Sequence, residues 1–143
     1  MIAAVLRLEA FLALALARVL LFSLPWSRTS ALLGRFAAPA GTGAPPSPRD
    51  TQRARAVARR VRGMADRLPW HSTCLVRAVA GMLLLARRGI PGSGIRFGVR
   101  KEDGRLSAHA WLILGSEVLL GGEEADTYVP LADLVRRSGG GAA

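Results

Sequence analysis

The chain has 143 residues, half of them apolar, and 20 Lys or Arg against 10 Asp or Glu give a formal charge of +10. That is one small domain with room for an appendage, and it is too apolar for a disordered chain. A lone cysteine, Cys74, excludes an intrachain disulfide framework; two histidines argue against a dense zinc site, and no GxxxxGK[ST] loop offers a phosphate cradle.

Leu and Ala dominate residues 2–26, which predicts a helix. Arg7, Glu9 and Arg18 interrupt the run. Arg18 would sit deep in a membrane span at a cost of roughly 2.5–3.5 kcal/mol on insertion scales, and Glu9 fits a cleaved secretory signal poorly. The expectation is a helix buried against the rest of the domain or against a partner, with membrane contact through residues 1–36 as the alternative. Pro25 closes the helix, and residues 30–36 add a short helical turn. Residues 38–48 (APAGTGAPPSP) hold four prolines and two glycines and read as a linker. The chain thus divides into an apolar helical segment (1–37), a linker (38–48), a domain (49–135) and a flexible tail (136–143).

Residues 49–67 predict a helix with Val57, Val61, Met64 and Leu68 as its apolar stripe and Asp50 at its positive end. Seven arginines against Asp50 and Asp66 leave this stretch at +5. Such a block suits acidic lipid, an acidic peptide or nucleic acid, or is simply a solvated helix face. It lacks interleaved aromatics for base stacking, so no nucleic acid is expected. Residues 73–88 predict the next helix, with Ser72 or Thr73 as N-cap and Leu75, Val79, Met82, Leu83 and Ala86 buried. Arg87 and Arg88 suit its C-terminal end, Gly89 a left-handed C′ position, and Pro91 follows.

The period then changes to two. Ile95, Phe97 and Val99 mark a strand, Asp103-Gly104 a turn, residues 106–114 a second strand, Gly115-Ser116 a short turn, and residues 117–121 a third strand. Residues 127–131 add an edge piece limited by Pro130. The fold class is α+β: an apolar helix, then two helices packed on an antiparallel meander.

Cys74 falls in the first turn of a helix, where unpaired amides and the helix dipole suit a nucleophilic thiol; plain packing is the alternative. His109 lies on the second strand and shares a face with Trp111. A cysteine at a helix start and a histidine on a strand fit a nucleophile and base joined by folding. If Leu114 pairs with Glu117, His109 faces Gly122, and Glu123 is the best-placed acid to orient the imidazole; otherwise Glu123, Glu124 and Asp126 are solvated loop carboxylates. His71, in PWHSTC, either lines the same cleft or faces solvent. Trp70 is either a substrate wall or a hydrophobic staple at the helix start.

The string CLVRAVAGMLLLARRGIP, a strand, AHAWLIL, VLLGGEE and a closing YVPL resemble the transglutaminase-like cysteine peptidases of lasso-peptide biosynthesis. The likeness covers about residues 50–135, and the Leu-rich start with LPW and LLGRF is similar to the N-terminal part of stand-alone members. It implies a leader peptidase with Cys74 as nucleophile, His109 as base, no cofactor and no metal. It places an acid, ordinarily Asp, just after the third strand, where this chain reads GGEE. Glu123 as substitute, a Cys–His dyad, or an impaired copy remain open. Trp70, His71 and Trp111 are the candidate substrate-binding residues. The implied partners are the precursor's leader peptide, a small leader-recognition protein and an ATP-using macrocyclase, in the cytoplasm and with membrane association possible. A transglutaminase-like amidase or acyltransferase on another substrate, or a non-catalytic interaction module, are the rival readings.

Overall fold

The computed structural model describes residues 1–35, 45–90, 92–122 and 127–134. Among these, four helices and four strands form an α+β domain: α1 (Ile2–Ser23), α2 (Trp26–Leu33), α3 (Pro48–Ala65), α4 (Cys74–Arg87), then β1 (Ser93–Glu102), β2 (Arg105–Leu114), β3 (Glu117–Leu120) and β4 (Val129–Leu134). The greater part of the proposed linker and the whole of the tail 136–143 lie outside the described residues.

α1 buries Ala10, Ala13, Leu14 and Ala17, one face at helical spacing, in the same core as α3, α4 and the sheet. Small residues on that face let the helices approach closely. Glu9 ties α1 to the far end of α4 through Arg87 (2.8 Å) and Arg88 (2.5 Å). After Leu24 and Pro25, both extended, α2 starts at once and not at residue 30. Its buried Thr29 donates to the Leu20 carbonyl (3.1 Å) and folds α2 back on α1.

α3 begins with Ser47 as N-cap, its hydroxyl accepting from the Asp50 amide at 3.1 Å, and Pro48 in the first turn, where no amide partner is required. Val57 and Val61 are buried as expected, and Met64 and Leu68 pack at the core's margin.

α4 departs from the one-stripe expectation. Val76, Ala78, Ala80, Gly81, Leu84 and Leu85 are buried beside Val79 and Met82, whereas Leu75, Leu83 and Ala86 are only half-buried. The helix lies between α1 and α3 on one side and the sheet on the other, so it needs apolar residues nearly all round. It ends in a Schellman motif: Gly89 at φ 66 donates to Ala86 O (3.0 Å) and Ile90 donates to Leu85 O (3.0 Å).

The sheet order is β3-β2-β1-β4, all neighbours antiparallel. The first three strands form the expected meander; β4 crosses back to the far edge beside β1. Asp103 (φ 51) and Gly104 (φ 77) make the first hairpin turn. Pro130 is accommodated on the edge strand, opposite Gly98, where the β1–β4 register shifts. Ala110, Leu112 and Leu114 join the core under the helices, so His109 and Trp111 belong to the opposite face.

Candidate active site

Cys74 is the first residue of α4 and is half-buried. Thr73 caps the helix, its hydroxyl accepting from the Val76 amide at 3.3 Å. The amides of Cys74 and Leu75 lie in the first turn of α4, where N–H groups have no intrahelical acceptor. α4 is held close to β2 and β3 at Gly81, where a Cβ would come within 2.6 Å of the Leu112 side chain and 3.0 Å of Leu120. That contact, two turns along from Cys74, brings the helix start to the end of β3.

His109 reaches the same place from β2. Leu114 pairs with Glu117 as expected, but a bulge between Leu112 and Ile113 sets Leu112 opposite Leu120. The ladder stops there, so His109 does not face Gly122 as regular counting would have it. The chain turns instead at Gly121, whose φ of 83 requires glycine. This turn aims the Gly121 carbonyl at His109 Nε2, 2.9 Å away. A carbonyl only accepts, so Nε2 carries the proton and Nδ1 is left as the basic nitrogen.

Cys74 and His109 line one pocket of about 230 Å³, together with Arg62, Ser72, Arg77, Leu120 and Gly121. Arg77 clasps the pocket's rim, pairing with Asp66 (2.9 Å) and donating to Ser72 O (3.3 Å). Behind His109, the Tyr128 ring stacks at 5.0 Å and 25°, and the Trp111 ring lies at 5.3 Å. Arg100 covers the Tyr128 ring at 4.7 Å. The imidazole is thus fixed by one hydrogen bond and two aromatic walls.

Of the expected site residues, Cys74 and His109 come together. Glu123, with Glu124 and Asp126, lies outside the described residues. Trp111 is 2 % exposed; it backs His109 and offers no surface to a substrate. Trp70 and His71 line an adjacent depression that shares Ser72 and Arg77 with the pocket. There Trp70 packs on Phe11 of α1, with ring centroids 5.9 Å apart. Sequence reasoning missed Arg62, Arg77, Gly121 and Tyr128. Only the Gly121-Gly122 pair carried a signal, as a break in the strand pattern.

Among the described residues, no three His, Cys, Asp or Glu stand together as a metal site, and no helix is long and apolar enough to cross a membrane. The family profile described as the transglutaminase-like superfamily matches residues 20–133. No curated protein and no solved structure matches the chain.

Proposed function

The chain belongs to the transglutaminase-like superfamily, and from that premise we propose that it is a cysteine peptidase that removes the leader from a ribosomally made lasso-peptide precursor. The observation that carries the reading is the shared pocket of Cys74 and His109, with His109 Nε2 already bound to the Gly121 carbonyl. His109 Nδ1 takes the Cys74 proton, and the sulfur attacks the carbonyl of the leader's last residue. The Cys74 amide, at the open end of α4, donates to the developing oxyanion. The tetrahedral adduct collapses to a thioester as the core's amine leaves with the proton from His109. Water, deprotonated by His109, then releases the leader as an acid and restores the thiol.

The Gly121 carbonyl takes the role of orienting acceptor that a carboxylate fills in other triads, and the two residues work as a dyad. A pocket of about 230 Å³ holds little more than the residues flanking the scissile bond. Reading of a long leader therefore falls to a separate leader-recognition protein, and an ATP-using macrocyclase consumes the freed core.

The test is mass spectrometry of a synthetic lasso precursor presented with its leader-recognition protein. Wild type yields leader and core, whereas Cys74→Ala and His109→Ala leave the precursor whole. An intact precursor with acyl transfer to Cys74 from small amides or esters would move the chain to the amidase or acyltransferase reading. No reaction of either kind would make it a non-catalytic module.

A further inference from the structure

α1 carries a second apolar face that none of the described residues covers. Val5, Leu8, Leu12, Leu16, Val19 and Phe22 recur at intervals of three or four and are 49–69 % exposed. They form a line roughly 25 Å long. The stripe is a ridge, because a groove runs along each side. One groove, between α1 and α3, sets Arg7 against Arg59, Arg60 and Arg67. The other, between α1 and α4, sets Leu8, Leu12 and Leu16 against Leu83 and Arg87. At the end of the ridge, the Arg18 guanidinium sits over the Phe22 ring at 5.0 Å. The one acid of α1, Glu9, is occupied by Arg87 and Arg88.

An apolar ridge with cationic shoulders discriminates among occupants. A second copy would bring Arg7, Arg59, Arg60 and Arg67 against their own like charges, in a chain already at +10. Arg7, Arg59, Arg60 and Arg67 beside the apolar edge match an anionic headgroup layer over an acyl boundary. We infer that α1 lies in the interfacial layer of an anionic membrane, with its Leu/Val/Phe edge at the acyl boundary and the flanking arginines among the headgroups. The opposite face of α1 stays in the core at Ala10, Leu14 and Ala17, so the domain rests on the surface and does not cross it. The inference is independent of what the pocket hydrolyses.

The experiment is co-sedimentation of the full chain with vesicles of phosphatidylcholine alone, or of three parts phosphatidylcholine to one part phosphatidylglycerol. We expect partition at least a hundredfold stronger on the anionic vesicles, with the difference reduced by salt. Each arginine held at an anionic surface contributes about fivefold. The triple variant Arg59→Gln, Arg60→Gln, Arg67→Gln should therefore lose on the order of a hundredfold on anionic vesicles and change little on neutral ones. The quadruple variant Val5→Gln, Leu8→Gln, Leu12→Gln, Leu16→Gln should lose binding to both while keeping its helical circular dichroism. Equal partition of wild type on both vesicles, or none, overturns the inference. So does a soluble wild-type dimer that ignores vesicles and is dissociated by the quadruple variant, which would give the ridge to a second copy.

Discussion

Replacing Gly121 by alanine tests the site at its least conventional point. At φ 83 an alanine is strained by about 1–2 kcal/mol. Its Cβ would also lie 3.0 Å from Ala110 O, 3.0 Å from His109 Nε2 and 3.3 Å from Trp111 Cβ. The first of these is ladder backbone and the third is anchored to it, so the imidazole has to give. The ring leaves the Gly121 carbonyl, and one part-buried hydrogen bond worth about 1 kcal/mol is lost. We therefore expect Gly121→Ala to unfold in urea with about 2–3 kcal/mol less stability. Acylation of Cys74 by p-nitrophenyl acetate should fall by about a hundredfold or more, equivalent to about 2.7 kcal/mol of barrier. Gly122→Ala is the control: its added Cβ meets only the Val118 side chain, at 3.2 Å, with no unusual φ. It should keep most of both properties. A folded Gly121→Ala that acylates at the wild-type rate would refute the role of the carbonyl.

Other outcomes follow from the same geometry. Because Cys74 is the sole cysteine, iodoacetamide uptake reports it alone; His109→Ala should slow that uptake at neutral pH, while Trp111→Phe should leave it nearly unchanged. Thr73→Ala should cost about 1 kcal/mol in urea denaturation and Thr73→Ser much less, since only the first removes the cap. Gly98→Val should destabilise by more than about 2 kcal/mol, because its Cβ falls within the Trp111 ring and 3.0 Å from Val129 O, a backbone atom. At Glu9, burial raises the carboxyl's pKa, but hydrogen bonds and charge from Arg88, then Arg87, outweigh it and hold the group below the ordinary range. Its contribution is complete above the unfolded-state pKa and disappears as pH falls through the folded one. Glu9→Gln should accordingly lose about 1 kcal/mol near neutral pH and little in strong acid, by urea midpoints at each pH.

What could be read beforehand was local. A helix cap at Ser72 or Thr73, the Gly89 terminus, the Asp103-Gly104 turn and the pairing of Leu114 with Glu117 are each dictated by a few neighbouring residues; the cap falls to Thr73 and the others stand as expected. Features that depend on distant neighbours were not legible. The burial of α4 on nearly all sides needs knowledge that helices and sheet enclose it. The bulge ahead of Leu120 occurs in VLLGG, which suits a regular strand equally well. The acceptor for His109 was the hardest to foresee, because a main-chain carbonyl belongs to every residue and no side-chain pattern points to it. Glu123, the acid expected after β3, lies outside the described residues.

The enclosure of α4 also governs how the thiol fares on heating. A helix at the protein's surface can fray or detach while the remainder stays folded, but α4 can do neither without opening the contacts of α1, α3 and the sheet. Its middle amides, around Val79 and Met82, should then be among the slowest to exchange with deuterium, reporting global unfolding alone. Cys74 inherits this rigidity from one end of the helix: its position is as durable as the domain itself and vanishes in the same transition.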